Sequence, residues 1–487
     1  MNGKDEDIPI TKITDSDRVQ QLNNAFKEEF GYSPAFIVKV PGRVNIIGEH
    51  IDYCGYPVLP MALEQAILVA VGLTEELELQ LRNVNKTYCK YNTKLNTFED
   101  ITIQPDADGK PFWYNYVLCG VKGAMEFLKN KITNGLQIYI DGNIPPASGL
   151  SSSSALVSAS FLSFLHAQNV SLSKTELAAL CAESERYIGT QGGGMDQAIA
   201  FLAEKYCAQY ITWNPLKATP IALPEDAVFV VAHSLAEANK AATNDFNIRV
   251  MECRLSAKIL AACTGITCDN KIITLSQVQQ TLDNTLEDMV RLVDEYLPKD
   301  IYTKDEICSI LETSEEDLDH SILSPNTRHL KEFKLRQRAL HVYEEATRVE
   351  NFRKICSQVA VKEKNNLVNG TNGCIAPGKS AKPDDILEVL GNLMSGSHES
   401  LRKLYECSHK NLDLLVDTSK EVGVHARLTG AGWGGCVVAL CPMEKVDMYV
   451  ETLVNEFYVK HCNVDKVTAR SHVFATTPCH GAVIYTH

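Results

Sequence analysis

Several side chains that can bind ligands or accept protons crowd into a short segment near the start of the chain. Ten consecutive positions hold an arginine, two acids and a histidine, namely Arg43, Glu49, His50 and Asp52. The apolar residues between them predict partial burial, and buried charges must be paired or bound to a ligand. A further acid, Asp196, directly follows a glycine-rich turn at Gly192 to Met195. The pattern therefore predicts buried charges that are either paired internally or engaged by a ligand.

A serine-rich segment, Pro145 to Ala155, leads into a predicted helix whose apolar residues recur at helical spacing. One glycine and four serines stand at the start of that helix: Gly149, Ser151, Ser152, Ser153 and Ser154. Free backbone N–H groups, hydroxyl donors and the positive end of a helix dipole are the requirements of an anion site. The alternative is a serine N-cap, although one helix needs only one capping serine. The segment therefore predicts either a phosphate site or a helix N-cap with more serines than capping requires.

Two other glycine-rich stretches match nucleotide-binding patterns letter by letter. Residues 373–380 fit the phosphate-loop pattern, but the preceding residues are polar and Pro383 would interrupt the helix that this loop requires. We interpret that match as chance. Gly430–Gly435 contains the dinucleotide pattern, but an apolar strand, Cys436 to Leu440, follows it instead of a helix. This stretch indicates a tight helix-to-strand connection, or a backbone that must approach a ligand closely.

The composition argues against several classes of protein. A formal net charge of -14 disfavours a nucleic-acid surface, which needs a basic face to replace counterions. No apolar run is long enough to span a bilayer, and the first residues, MNGKDEDIPI, lack the features of a secretory signal. The 16 cysteines are scattered without the spacing of metal ligands, which is typical of thiols in a reducing compartment. We expect a cytoplasmic monomer that binds neither nucleic acid nor membrane.

Hydrophobic periodicity predicts the elements that must position these residues. Three apolar stretches have the pattern of strands: Ala35 to Val40, Val44 to Ile47 and Val228 to Ala232. The first is expected to end at Pro41-Gly42. A capping box at Ser173 and a broad apolar face from Thr243 to Ala262 each predict a helix.

The order of these elements predicts an α+β fold in two lobes, with the active site in the cleft between them. Residues 1–20 are predicted to be a mobile tail, residues 21–230 an N-terminal domain and residues 231–487 a C-terminal domain. Within the second domain, residues 364–384 are rich in Asn, Gly, Pro and Lys, and we expect them to form a flexible loop.

Four of the stretches described above resemble the motifs of one enzyme family when taken together. GRVNIIGEHIDY at residues 42–53, the serine-rich segment, GGGMDQ at residues 192–197 and the glycine-rich turn at residues 430–435 resemble the motifs of the GHMP small-molecule kinases. The first of them is similar to the galactokinase signature. Within that group, the DYCGY continuation at residues 52–56 and the GGGMDQ turn resemble the N-acetylgalactosamine kinases more than the usual galactokinases. The resemblance extends from about residue 36 to residue 435.

The resemblance implies a role for each matching residue. Asp196 is implied to take the proton from the anomeric hydroxyl of a sugar, with Arg43 beside it keeping the carboxylate ionised. The sugar-binding residues are implied to be Arg43, Glu49, His50, Asp52, Gly193 and Asp196. Phosphate and nucleotide contacts are implied for Gly149, Ser151, Ser152, Ser153, Asn239 and Lys240, and magnesium ligation for Ser153 and Glu185. Three alternatives remain open: a structural histidine at His50, a solvated helix acid at Glu185 and an ordinary surface lysine at Lys240.

The resemblance implies that the protein is an ATP- and Mg²⁺-dependent sugar 1-kinase that phosphorylates N-acetylgalactosamine. Phe246 stands where galactokinases usually place a tyrosine, and loss of that hydroxyl could admit a bulkier substituent on the sugar. One alternative is a galactokinase with galactose as the main substrate. The other is a catalytically silent sensor that binds galactose and ATP, although the intact serine-rich loop argues against it.

Overall fold

The computed structural model describes residues 7–13, 16–107, 109–237, 243–266, 273–368 and 383–486. Its strands are β1 (Ile10–Lys12), β2 (Phe36–Ile47), β3 (Leu59–Thr74), β4 (Glu78–Asn83), β5 (Tyr91–Lys94), β6 (Gly135–Gly142), β7 (Cys207–Thr212), β8 (Lys217–Ala222), β9 (Ala227–His233), β10 (Tyr302–Thr303), β11 (Glu332–Phe333), β12 (His425–Thr429), β13 (Cys436–Pro442), β14 (Val473–Thr476) and β15 (Val483–Thr486).

The helices are α1 (Asp17–Phe30), α2 (Trp113–Phe127), α3 (Ser152–Ala167), α4 (Lys174–Glu185), α5 (Met195–Leu202), α6 (Asp245–Cys263), α7 (Leu275–Leu282), α8 (Leu286–Tyr296), α9 (Lys304–Ile310), α10 (Glu315–Ser321), α11 (Leu335–Val368), α12 (Pro383–Lys403), α13 (Lys410–Glu421), α14 (Val446–Thr452) and α15 (Lys466–Arg470). Single 3₁₀ turns occur at Asp52–Cys54, Arg186–Ile188 and Met443–Lys445, and a π-helix follows α14 at Leu453–His461. The mixture of helices and sheets confirms the α+β class.

The chain forms two compact units that are interleaved along the sequence. The first contains the chain up to Val44, Met61–Lys205 and the residues from Pro478 onwards. The second contains Asn45–Pro60 and Tyr206–Thr477. This division differs from the expected boundary at residue 230. Residues 45–60 and 206–230 fall in the second unit. The C-terminal segment falls in the first unit, where β15 pairs with β1 and β2.

The first unit is built on a mostly antiparallel sheet with the strand order β1-β15-β2-β3-β6-β4-β5 within the described residues. Helix α1 buries Val19, Leu22 and Phe26 against this sheet. Helices α2, α3, α4 and α5 pack on one another. The prediction of a mobile tail over residues 1–20 is wrong for the part that the structure describes, since β1 is paired with β15 and α1 begins at Asp17.

Strand β2 continues through the proline and glycine that were expected to end it. Proline cannot donate a backbone hydrogen bond and is tolerated where no partner needs one. Within β2, only Phe36–Lys39 pair with β15, so Pro41 lies beyond the paired stretch on that side. The two predicted strands at residues 35–40 and 44–47 are therefore one element.

The second unit contains a sheet with the order β12-β13-β9-β14 within the described residues. The predicted strands at residues 228–232 and 436–440 are confirmed as parts of β9 and β13, which pair antiparallel. Helices α12 and α13 pack on β12, and the long helix α11 packs against α6, α8 and α12. The expected helix from residue 243 to residue 262 corresponds to α6.

The capping box at Ser173 and the segment at residues 364–384 were also predicted from the sequence. The capping box at Ser173 is confirmed: its hydroxyl accepts from the backbone N–H of Glu176, whose carboxylate accepts in return. The expected loop at residues 364–384 is helical at both ends, since α11 extends to Val368 and α12 begins at Pro383. Proline is favoured in the first turn of a helix, which explains its place there. The phosphate-loop match at residues 373–380 lies outside the described residues.

No helix in the described ranges has both the length and the apolar character that crossing a membrane would require.

Helix α11 carries a buried histidine, His341, whose two ring nitrogens are both within hydrogen-bond distance of protein groups. Its Nε2–H donates to the Glu49 carbonyl at 3.1 Å, and its Nδ1 lies 2.8 Å from the Ser400 hydroxyl. Burial lowers the pKa of the imidazole to about 4, against the opposing effect of Glu345, which raises it. The folded protein therefore holds this ring neutral over a range in which the unfolded chain would protonate it.

We predict that folding stability falls as the pH is lowered from about 6.5 to about 4, because the unfolded chain binds the proton first. The contribution of His341 is at most about 3 kcal/mol. Urea denaturation at several pH values should show a flatter slope across this window in His341→Gln, together with lower stability at pH 7. An unchanged slope in that variant would contradict the assignment to His341.

Candidate active site

The loop between β6 and α3 has an unusual alternating backbone. Ala147, Gly149 and Ser151 have positive φ values of 51°, 72° and 63°. Alternation between left-handed and right-handed residues turns successive N–H groups towards one side and forms an anion-binding concavity. The first turn of α3 adds further unpaired N–H groups and the positive end of its dipole. The positive φ values and the position of the loop at the start of α3 therefore favour an anion site here.

The serines of this loop have different environments. Ser151 occupies the N-cap position of α3, but within the described residues its side chain makes no capping hydrogen bond. Its buried hydroxyl has no partner among them. Ser152 and Ser153 are half-buried, whereas Ser154 is buried. The N-cap alternative therefore does not account for the serines, and the orphaned Ser151 hydroxyl can donate to a ligand.

Arg43 and Asp196 form a buried ion pair beside this loop. The Arg43 Nε and Nη2 atoms lie 2.7 and 2.6 Å from Oδ1 of Asp196, and the Arg43 Nη1–H donates to the Gly149 carbonyl at 2.5 Å. Arg43 is 1% exposed. The second carboxylate oxygen, Oδ2, accepts from the Ser154 hydroxyl at 3.2 Å. One guanidinium thus holds both the loop and the acid, as the sequence predicted for Arg43 and Asp196.

Glycine at position 42 allows the close approach of β2 to the loop. The Arg43 N–H donates to the Leu150 carbonyl at 3.1 Å. A Cβ atom at Gly42 would lie 2.8 Å from that same carbonyl oxygen, closer than real Cβ atoms come to another atom. Since the obstacle is backbone, a side chain at this position would push the loop away from Arg43.

The three glycines before Asp196 form the turn that starts α5. Gly194 has a φ of 102° and occupies the N-cap position, so that Asp196 falls in the first turn of the helix. Gly193 is half-buried in the same turn. The carboxylate of Asp196 is 11% exposed. The acid is therefore largely enclosed and its position is set by the turn.

Glu185 ends α4 and is half-buried in the same unit. Its Oε2 atom accepts from the Gln197 side-chain amide, next in sequence to Asp196. Burial and, second, the negative charge of Glu185 raise the pKa of the Tyr116 phenol and of the Cys119 thiol. Three or more acidic, histidine or cysteine side chains do not gather into a metal cluster within the described ranges. The oxygen donors Glu185 and Ser153 nevertheless suit Mg²⁺, which usually keeps water and phosphate oxygens as its other ligands.

In the second unit, the segment after Arg43 is fixed by buried polar groups. The Arg427 Nη1–H donates to the carbonyls of Asn45 and Ile46 at 2.8 and 3.0 Å. The Gly48 N–H donates to Glu345 Oε1 at 2.9 Å. Burial raises the pKa of Glu345, but the charges of Arg348, Arg427 and other neighbours outweigh it and hold the value at about 2.

Two of the predicted sugar-binding residues are engaged within the protein. Glu49 Oε1 accepts from the Gly430 N–H at 2.6 Å and from the Thr429 hydroxyl at 3.2 Å. The His50 Nε2–H donates to the Ala431 carbonyl at 3.0 Å, and its Nδ1 lies 2.8 Å from the Tyr53 hydroxyl. Both side chains thus hydrogen-bond to protein groups, and their contacts with sugar stay a prediction.

The remaining predicted residues of this unit have different surroundings. Asp52 begins the 3₁₀ turn after His50 and is half-buried. Phe246 lies in the first turn of α6, and its ring centroid is 5.7 Å from that of His50 and 5.6 Å from that of Tyr53. It is 6% exposed. Asn239 and Lys240 lie outside the described residues.

The turn at Gly430–Gly435 joins two strands, so the expected helix-to-strand connection is wrong. Strands β12 and β13 pair antiparallel from Thr429 and Cys436 onwards. A Cβ atom at Gly432 would lie 2.1 Å from the Cys407 carbonyl oxygen, and one at Gly434 would lie 2.5 Å from that of Ala236. Close approach to protein backbone is therefore enough to require glycine at these two positions.

Ser154 and Gln197 lie in stretches that the sequence indicated, but neither was given a role of its own, and Arg427 was not singled out. Four adjacent serines gave no sign of which one faces an acid. The position of Gln197 directly after Asp196 could have indicated that it belongs to the site. Arg427 is separated from the residues it holds by more than 380 positions in the chain, and nothing in its local sequence indicates that contact.

Comparison with known proteins finds matches to family models in three separate parts of the chain. Residues 24–73 match the family model described as "Galactokinase galactose-binding signature", residues 115–204 match "GHMP kinases N terminal domain" and residues 385–456 match "GHMP kinases C terminal". The fold is similar to that of a Lactococcus lactis galactokinase complexed with galactose, with a TM-score of 0.69, 23% identity and coverage of 96% of this chain and 99% of that one.

Two curated relatives extend the comparison. A protein of Dictyostelium discoideum named "Galactokinase" is 39% identical, with coverage of 96% of this chain and 94% of the relative. A "Galactokinase" of Saccharomyces cerevisiae is 30% identical, with coverage of 96% and 95%. The chain therefore belongs to the galactokinase group of the GHMP kinase family and is a sugar kinase that uses ATP.

Proposed function

We propose that this enzyme transfers the terminal phosphoryl group of ATP to the anomeric hydroxyl of galactose, giving the sugar 1-phosphate and ADP. The observation that carries the proposal is the buried ion pair between Arg43 and Asp196 beside the serine-rich loop. A carboxylate held in this way is placed to accept a proton where a phosphate can bind. The galactokinase names of the relatives favour galactose over N-acetylgalactosamine, which the sequence motifs had suggested.

In the proposed reaction, Asp196 removes the proton from the anomeric hydroxyl. The sugar oxygen then bonds to the γ-phosphorus while the bond between that phosphorus and the bridging oxygen of ADP breaks. Such transfers pass through a loose transition state, so that positioning and charge stabilisation supply most of the rate enhancement. Arg43, the N–H groups of the loop and the hydroxyls of Ser151, Ser152 and Ser153 would stabilise charge on the phosphoryl oxygens.

Mg²⁺ is proposed as the metal, with the Glu185 carboxylate and the Ser153 hydroxyl as its protein ligands. When bound, it would neutralise negative charge on the transferring phosphate. Gln197 would orient Glu185 through the hydrogen bond between their side chains. The family resemblance supports sugar contacts by Glu49, His50, Asp52 and Gly193. Glu49 and His50 also hydrogen-bond to protein groups.

N-acetylgalactosamine is a second candidate substrate, and the observation that favours it is Phe246. This ring lies against those of His50 and Tyr53 and has no hydroxyl with which to bind the sugar. A less polar wall would tolerate an acetamido group in place of a hydroxyl.

A sensor without activity is disfavoured because Asp196, Arg43 and the serine-rich loop are all present and engaged with one another. We further propose that the enzyme acts as a cytoplasmic monomer. An assay of ADP release with ATP, Mg²⁺ and a panel of free sugars tests the proposed function.

Asp196→Asn should still bind sugar and ATP but lose kcat by about 10²–10⁴-fold, because the amide cannot accept the proton. Steady-state kinetics and calorimetric binding measure the two effects separately. Asp288→Asn, at an exposed helix cap of α8, serves as the control and should keep full activity. Substantial kcat in the Asp196→Asn variant would remove this residue from the role of base.

Glu185→Gln should raise the Mg²⁺ concentration that gives half-maximal rate by about tenfold or more, because a carboxylate ligand is lost. Titration of the rate with Mg²⁺ at saturating ATP measures this. The matched control is Glu183→Gln, on the exposed side of the same helix. Equal Mg²⁺ requirements in both variants would identify Glu185 as a solvated helix acid.

Phe246→Tyr should increase the ratio of kcat/KM for galactose to that for N-acetylgalactosamine by about tenfold, because the added hydroxyl favours the more polar sugar. Phe474→Tyr in β14 is a control for the added hydroxyl. A ratio that stays the same in Phe246→Tyr would show that this ring does not select the substrate.

A further inference from the structure

The fourth serine of the loop has a different contact from an ordinary helix serine. Buried serines of helices usually donate to a carbonyl one turn earlier, as Ser160 does to Leu156 at 2.7 Å and Ser184 does to Leu180 at 2.6 Å. Ser154 instead donates to the carboxylate of Asp196, 42 positions later in the chain, at 3.2 Å. It is 2% exposed. Its hydroxyl is thus directed away from its own helix and towards the acid.

The two oxygens of Asp196 are held by different groups. Oδ1 lies 2.7 Å from Nε and 2.6 Å from Nη2 of Arg43. A carboxylate oxygen has two lone pairs, and two guanidinium N–H groups occupy those of Oδ1. The Ser154 hydroxyl donates a hydrogen bond to the other oxygen, Oδ2. Proton transfer to Oδ2 therefore leaves the charged contact with Arg43 intact, whereas transfer to Oδ1 would disrupt it.

We propose that Ser154 is a positioning residue that orients the carboxylate of Asp196 so that Oδ2 accepts the proton of the sugar hydroxyl. This inference rests on the role of Asp196 proposed above. The O–H bond of the sugar breaks, a new O–H bond forms at Oδ2, and the electron pair left on the sugar oxygen forms the bond to the γ-phosphorus of ATP. The bridging P–O bond breaks and ADP leaves with its electron pair.

A positioning role has consequences that a merely structural serine would not have. A hydrogen bond to an ionised carboxylate favours the ionised form, so its loss makes the acid easier to protonate. Ser154→Ala should therefore move the acidic limb of the kcat–pH profile to higher pH by about half a unit to one unit. At the pH optimum, kcat should fall about three- to tenfold while KM for sugar and for ATP changes by less than about twofold.

Two further variants make the experiment specific. Ser154→Thr keeps a hydroxyl and should return the acidic limb towards its original position. Ser160→Ala removes a hydroxyl from the same helix at a position that is equally buried, and it should leave both kcat and the pH profile unchanged. Thermal denaturation of each variant confirms that the protein used in the assays is folded.

The proposal is overturned if Ser154→Ala has the wild-type kcat and acidic limb, or if it raises KM for ATP several-fold with the limb unmoved. The latter result would assign Ser154 to the phosphate site instead. Failure of the proposed function is distinguishable, since it would appear as retained turnover in Asp196→Asn. An inactive Asp196→Asn together with an unaffected Ser154→Ala would disprove only the present inference.

Discussion

The ion pair between Arg43 and Asp196 is the interaction on which the first unit's candidate site depends. Removing one partner from a buried pair is strongly destabilising, typically by about 3–5 kcal/mol, because the remaining charge is left without compensation. Arg43 also donates to the Gly149 carbonyl, so a single guanidinium joins β2, the serine-rich loop and the start of α5. Gly42 makes this possible by letting the strand approach the loop. The acid is thus positioned by three segments that are far apart in sequence.

The second unit secures the adjoining segment in a comparable way, with charges that are almost completely buried. Glu345 and Arg427 are 0% exposed, and Glu49 is 2% exposed. Each of them hydrogen-bonds to backbone groups: Glu345 to Gly48, Glu49 to Gly430, and Arg427 to Asn45 and Ile46. Buried charges require such compensation. For Glu345 and Arg427 it comes from the backbone of the galactokinase signature, and for Glu49, which belongs to the signature, it comes from the turn at Gly430. These buried charges therefore help to maintain the conformation of the signature.

The sequence was sufficient for the class of fold, the main strands and helices, and the family. The motifs are local, so the family resemblance was enough to predict that Arg43 lies beside Asp196. The structure shows this contact. The pairing of strands that are far apart in the sequence could not be predicted from local patterns. The return of β15 to the first sheet changed the expected domain boundaries, and short polar strands such as β1 (ITK) have no periodic pattern to identify them. Sequence also does not show which polar side chains hydrogen-bond within the protein, as His50 does to the Ala431 carbonyl and Glu49 does to the Gly430 N–H.

The pairing of β15 between β1 and β2 also bears on how the first sheet is protected from other molecules. Residues 483–486 lie inside this sheet and not at its edge, within the described residues. Loss of this strand would remove the partner of β1 and leave one side of β2 unpaired. An unpaired strand edge is a template for pairing with a second chain. The short strand β15 therefore keeps the interior of the sheet closed to association with other molecules.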